Sequence, residues 1–327
     1  MKIYLATQMS GSPFVSFKSQ AIFDSFKIFL TSKIAEADLV VANNFRSLLP
    51  IIIRYPKKKY LVWTNEPWLD ISIKDEICLP FNFAKIQIMN VFGNEVFWHN
   101  LHFLGSYHFD NSNNLGINID KSLTHLSKGQ LVASNKMHKI AAILTNNAGD
   151  KTKLINNGID IDLHQKRCRY ALAGYGRGIV EIYGKRWPKG IALGNSGFGF
   201  DKTRPWWIEK IGILSKYKFN LCLENTAYPH YITEKIWHAV VSYSLPVYDS
   251  FNSSIYETFP QNSFVDCSLF KNEQAMFDYI AAMPLEEYLE RLNTCIDVFN
   301  RMANIKRVNY ENNEKEVTGK IINRILA

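Results

Sequence analysis

The 327-residue sequence has little that would staple, cage or anchor a chain. Its five cysteines, Cys78, Cys168, Cys222, Cys267 and Cys295, are scattered without paired spacing and odd in number. Neither a disulfide framework nor a cysteine zinc site follows from them. No apolar run approaches the roughly 20 residues of a spanning helix, and the opening MKIYLATQMS lacks the long apolar segment of a signal peptide. A cytosolic protein is the default expectation. No internal repeat or low-complexity tract is visible, which excludes solenoids and collagen-like rods.

What is present is an ordinary globular composition, 47% hydrophobic and 21% charged, with a net charge of +8. That charge favours anionic partners such as nucleotides, nucleic acid or an anionic surface. The basic residues are spread out except in RYPKKK (54–59) and HQKRCR (164–169), and a solvated face is the commoner reading of each cluster.

Short β-prone runs recur in the first third: KIYLAT (2–7), ADLVVAN (37–43), KKYLVWT (58–64) and KIQIMNVF (85–92). Between the first two, Ile22, Phe23, Phe26, Phe29 and Leu30 recur at helical spacing and predict one helix. Residues 109–137, rich in Asn, Ser, Asp and Gly, read as an interdomain linker. Beyond it come KIAAILT, a helix around 161–173, IVEIYG, a helix near 206–215, YKFNLCL, a helix from about 233 to 243, and LPVYD. Three amphipathic stretches close the chain. This alternation predicts two α/β domains with largely parallel sheets, at 1–130 and 131–300, and a helical tail at 301–327 that crosses back to the first domain.

The most informative stretch is LENTAYPHYITEKIW, Leu223 to Trp237, between two apolar strands. Ligands of parallel sheets bind beyond the carboxyl ends of the strands, where loops enter helix N-termini. Thr233 is placed to cap a helix beginning at Glu234, whose free N–H groups attract anions. Lys235 adds a point charge, Glu234 accepts hydroxyl hydrogens of a ribose, and Asn225 and Tyr231 donate to phosphate or sugar oxygens. A nucleoside diphosphate suits this set. Against it stands the bland reading of an exposed helix start whose first turn is acidic for dipole reasons.

Other candidates are weaker. The Asp-x-Asp of GIDID (158–162) reads as a capping or solvated segment rather than a metal site, His99 and His102 have no third ligand in view, and GYGRG (174–178) follows a helix, the wrong context for a dinucleotide fingerprint. No metal is called for.

The run YKFNLCLENTAYPHYITEKIWHAVVSYSLPVY, from Tyr217 to Tyr248, resembles the donor-site signature of the α-1,3/4-fucosyltransferases, with matching spacing of Glu224, Tyr231, Glu234 and Pro246. KIAAILTNN resembles the family strand ending near Thr145 and Asn146. KRCRYALAGY with EIYGK resembles the segment whose arginine contacts the donor diphosphate, Arg167 or its neighbour Arg169. VWTNEPW resembles the strand end bearing the general base, here Glu66. Two departures stand out: Leu223 replaces the Phe of FEN, and Ser250 replaces a usual Gly.

The resemblance implies a GT-B architecture, two Rossmann-like domains facing across a cleft, and an inverting glycosyltransferase that moves L-fucose from GDP-fucose to a galactose or N-acetylglucosamine hydroxyl of a bacterial surface glycan such as lipopolysaccharide. In that reading Glu66 is the base, Arg167 and Lys235 neutralise the leaving diphosphate, Glu224 and Glu234 belong to the donor site, Glu234 also steadies the cationic sugar, and Trp63 and Trp68 stack on acceptor sugars. The partners are a nucleotide sugar and a glycan, not nucleic acid, with no cofactor beyond the donor. A weak hold on an anionic membrane face through the helix at 314–326 competes there with a solvated face. The alternatives are the same fold with another nucleotide-sugar donor, and a nucleotide- or glycan-binding module without catalysis.

Overall fold

In a computed structural model the described residues are 1–9, 12–67, 74–80, 83–93, 96, 122–147, 154–194 and 206–327, without the side chains of 306–314. The chain divides into two compact units, Met1–His99 with Arg307–Ala327, and Asn100–Lys306. The sequence had placed the first division near residue 130 and treated the tail as separate.

The first unit is a six-stranded sheet in the order β2-β1-β3-β4-β6-β5. Its strands are β1 (Lys2–Leu5), β2 (Phe29–Leu30), β3 (Leu39–Ala42), β4 (Lys59–Thr64), β5 (Glu76–Cys78) and β6 (Lys85–Asn90). All pairings are parallel except β5 with β6. Two helices accompany it, α1 (Phe17–Ser25) and α2 (Phe45–Arg54). Asn44 caps α2 by accepting from the Ser47 N–H at 2.9 Å, and Leu48 and Ile52 pack on Val40, Ala42, Tyr60, Val62, Ile86 and Ile88 of one sheet face.

Alternate residues Val41 and Leu61 are also buried, so both sheet faces are covered, as expected of a parallel layer. The long helix expected over 19–36 stops early. α1 ends at Ser25, Lys27 takes a positive φ of 55°, and Phe29 and Leu30 become an exposed edge strand whose Phe29 N–H bonds the Met1 carbonyl at 3.0 Å. Past Phe23, Ile28 alone of residues 24–36 is buried. Helical spacing was satisfied on paper, but pairing with β1 was available only in three dimensions.

In the second unit the order is β10-β7-β11-β12-β13, all parallel. Along the chain come α3 (Lys128–Ala133), β7 (Met137–Ile143), the small antiparallel pair β8 (Ile155–Asn156) and β9 (Ile159–Asp160), α4 (His164–Gly176), β10 (Val180–Tyr183), α5 (Trp206–Leu214), β11 (Tyr217–Leu221), α6 (Glu234–Val241), β12 (Leu245–Tyr248), β13 (Val265–Asp266) and α7 (Glu273–Ala282). Ile140 and Ala142 of β7 enter the main core, whereas Ala141 joins Leu214 and Tyr217 on the opposite face.

The segment anticipated as a linker is, from residue 122 onward, fastened to this unit; residues 109–121 lie outside the described residues. Asn300 and Asn293 each bond the backbone N–H and carbonyl of Leu123 and Leu126, respectively, at 2.8 to 3.1 Å.

The last two amphipathic stretches form one 42-residue helix, α8 (Leu285–Leu326). No proline or glycine stands between Met302 and Glu314 to break it. Its end packs in the first unit, where Thr318 bonds Ser19 at 2.9 Å, Gln87 bonds the Arg324 carbonyl at 3.3 Å, and Arg324 reaches the Asp75 carbonyl at 2.8 Å. Val317, Ile321, Ile322 and Ile325 are buried, so the apolar stripe of 314–326 is spent on protein contacts. Among the described residues no helix is long and apolar enough to cross a membrane.

Candidate active site

The carboxyl ends of β7 and β11 open into a small pocket lined among others by Leu144, Arg167, Lys210, Asn220, Leu223 and Lys235. Three cations from three helices meet there. Arg167 comes from the first turn of α4, Lys210 from α5 and Lys235 from the first turn of α6.

Each is placed by a local device. Asp162, the last residue of GIDID, accepts from the His164 backbone N–H at 2.8 Å and from its ring at 2.7 Å, which starts α4 and aims Arg167. The loop before α4 is tied to the loop after β11: the Leu163 N–H bonds the Asn225 carbonyl at 3.0 Å, and the Ala227 N–H bonds the Ile161 carbonyl at 2.7 Å. GIDID is thus a capping element. Arg169, two positions on, is exposed and pairs with Glu273 of α7, so Arg167 is the arginine that lines the pocket.

Glu224 does a different job from a ligand-binding carboxylate. It is 3% exposed and accepts from the Thr233 N–H at 2.7 Å, the Thr233 hydroxyl and the Lys235 ammonium at 2.8 Å. Thr233 stands at the N-cap position with extended backbone angles, but its hydroxyl donates to Glu224 instead of capping the helix. Burial pushes the Glu224 carboxyl up, while the Lys235 ammonium opposes that shift. The Lys235 ammonium also lies 5.9 Å over the ring of Tyr231, itself 2% exposed. Tyr231 is therefore a floor beneath the cation. Glu234 sits 3.7 Å from Lys210 and 3.8 Å from Lys235.

Thr145 and Asn146 follow β7 just beyond the pocket-lining Leu144, and the Asn146 N–H bonds the Lys185 carbonyl at 2.9 Å. Gly184 explains the YGK motif: its φ is +130°, and a Cβ there would stand 2.2 Å from the Leu144 carbonyl oxygen. Trp187 donates to that same oxygen at 2.9 Å, fixing Leu144 in the pocket wall. At the end of β12, Asp249 is buried and paired with Lys166 at 2.5 Å, and the Ser250 N–H bonds Asp266 at 3.2 Å.

In the first unit Glu66 lies just past β4, half-buried, with its N–H on the Thr64 hydroxyl at 3.2 Å. Trp63 departs from the expected role. It is 4% exposed with its ring 5.9 Å from Phe14, edge to face, so it is core and presents no open face to a sugar. Trp68, His99 and His102 lie outside the described residues. Among the described residues no group of three His, Cys, Asp or Glu side chains is gathered as a metal site.

Residues 194–293 match the model of glycosyltransferase family 10 (fucosyltransferase), C-terminal part. The pocket's α5 and α6 cations fall inside that segment. Residues 194–293 carry the family 10 fucosyltransferase signature. The chain is 46% identical over 67 residues to the α-(1,3)-fucosyltransferase FucT of Helicobacter pylori, a stretch covering 20% of this chain and 14% of that protein. Similarity to the α-(1,4)-fucosyltransferase of Arabidopsis thaliana is 39% over 67 residues, 20% of this chain and 16% of the relative. The matches thus span well under two thirds of the relatives' length. A crystal structure of an α1,3-fucosyltransferase with GDP-fucose superposes over 89% of this chain and 81% of its own at 20% identity, with a TM-score of 0.45.

Lys210 was missed by sequence reasoning because it precedes the signature run. A signal did exist: in the nearly all-apolar WWIEKIGIL, Lys210 stands four residues from both Trp206 and Leu214, on the helix's buried stripe. A lone lysine on such a stripe needs a reason.

Proposed function

We propose that the protein is an inverting fucosyltransferase that transfers L-fucose from GDP-fucose to a hydroxyl of a galactose- or N-acetylglucosamine-containing glycan. The convergence of Arg167 on one pocket with Lys235, which lies inside the segment matching family 10, carries this reading. A diphosphate leaving group develops negative charge as its bond to the sugar stretches, and preorganised cations lower that barrier. The acceptor oxygen attacks the anomeric carbon, its proton passes to the Glu66 carboxylate, and the sugar–phosphate bond breaks with its electron pair leaving on the diphosphate. Glu234, in the first turn of α6, accepts hydroxyl hydrogens of the ribose. Glu224 acts by holding Lys235 in place.

The test is transfer by the wild-type protein from a panel of nucleotide sugars to galactose- and N-acetylglucosamine-terminated acceptors. GDP-fucose is the expected donor. Turnover with a different nucleotide sugar and none with GDP-fucose would transfer the assignment to that donor, and Ser250 at the usual glycine position is the first place to look for the cause. GDP binding without any transfer would reduce the protein to a binding module.

A further inference from the structure

The Lys210 ammonium is 6% exposed, makes no hydrogen bond among the described residues, and has as its nearest carboxylate Glu234, at 3.7 Å. Its other close neighbour is the Trp206 ring, 5.7 Å away. A buried charge is costly unless paired and hydrogen-bonded. Here the opposite has been built, because Arg167 and Lys235 line the same pocket and Lys235 is already engaged by Glu224 and Thr233. Self-repulsion of this kind is relieved by an anion carrying more than one charge.

We propose that Lys210 is a catalytic residue that donates to the diphosphate of the bound nucleotide and stays protonated as the diphosphate departs. The inference rests on the nucleotide-sugar reading above and adds a residue and a regulation to it. Lys210 would bind the diphosphate portion itself, which GDP, UDP and pyrophosphate share.

A pH dependence follows. The charged and titratable groups around Lys210 are Glu234 and Lys235 from α6, Glu224 and Cys222 from the end of β11, and Arg167 from α4. Burial first, with Lys235 adding to it, draws the Lys210 ammonium below the ordinary lysine range, against the attraction of Glu234 and Glu224. The free protein therefore loses this proton at a lower pH than a surface lysine does, and diphosphate affinity falls as pH rises through that point.

The experiment measures Kd for GDP, UDP and pyrophosphate by titration calorimetry from pH 6.5 to 10, together with melting temperatures, for wild type, Lys210→Met and Lys210→Arg. Lys210→Met is expected to weaken binding about 10- to 100-fold at neutral pH and to melt no lower than wild type, since an apolar isostere removes a buried charge. Lys210→Arg, which keeps its proton throughout, is expected to retain binding and flatten the alkaline fall. Equal affinity and an equal pH profile in all three proteins would overturn the inference, as would failure of wild type to bind any of the three probes. A Lys210→Met that melts lower yet binds as wild type would assign Lys210 to structure. Binding of UDP but not GDP, with the same Lys210 dependence, would sink the GDP-fucose reading and leave Lys210 in place.

Discussion

The two units are built alike and finished differently. Both are sheets with both faces covered, all-parallel in the second unit and parallel but for edge strand β5 in the first, and in each the residues of interest lie just past the carboxyl ends of central strands. In the first unit those ends carry, among the described residues, the neutral Thr64 and Asn90 and the carboxylate Glu66. In the second they carry Arg167, Lys210 and Lys235 against Glu224 and Glu234. A neutral hydroxyl needs only a base and a shaped surface, whereas a diphosphate needs convergent positive charge. In the proposed function the common scaffold is specialised by what is placed at its strand ends.

The same contrast separates two lysines of the second unit, Lys136 half-buried and Lys210 buried. Lys136 donates to the carbonyls of Ser215, Tyr217 and Ser242, bridging the ends of α5 and α6 and the start of β11. Lys210 donates to none among the described residues. One lysine has its acceptors built into the fold, and the other waits for a ligand.

The largest effect should come from the neutral side. Glu66→Ala is expected to lower kcat about 10²- to 10⁴-fold while leaving GDP affinity unchanged, measured by transfer assay and calorimetry. Loss of donor binding instead would erase the division between the units. Lys235→Ala should act on the other side, weakening GDP about 10- to 100-fold and costing about 3 kcal/mol of stability by denaturant unfolding, because Glu224 is left buried without its cation. If Glu224→Gln in the same background restores the stability but not the binding, the structural and ligand roles of the pair are cleanly separated.

The smallest effect concerns Lys136. Burial draws its ammonium down to about 8, below the unfolded value of 10.5. Between those values the unfolded chain binds more protons than the native one, so the stability attached to Lys136 rises with pH across roughly 8 to 10.5; below 8 both states are protonated and the penalty is fully present. Wild type minus Lys136→Met should grow by on the order of 1 kcal/mol over that window, discounted for the group's remaining solvent access. A flat difference would show that the three carbonyls hold the charged form.

The legible parts of this chain were those encoded locally. Strands β3, β4, β6, β7, β10, β11 and β12 announce themselves as apolar β-prone runs, and α6 by its position after a strand and a polar loop. Lys235 and Glu234 were visible for the same reason: strand end, loop and helix start are adjacent in sequence. The edge strand at Phe29 was not, because Phe26, Phe29 and Leu30 also satisfy a helical period, and only the free edge of β1 made pairing the better use of that backbone. Trp63 looked like a platform beside Glu66 until the alternation of β4 turned it inward against Phe14.

By itself the sequence determined two α/β layers and the polar strand-to-helix loop from Leu223 to Trp237, since periodicity and turn chemistry act over a few residues. The tertiary structure decided which polar residues meet. Lys210, Arg167 and Lys235 are separated by dozens of residues, and it took the parallel order of β7 and β11 to bring the ends of their helices onto one pocket. Glu224, read from sequence as a ligand group, became the anchor of Lys235 for the same reason: burial leaves a carboxylate to bond whatever donors the fold supplies, and here the fold supplied Thr233 and Lys235.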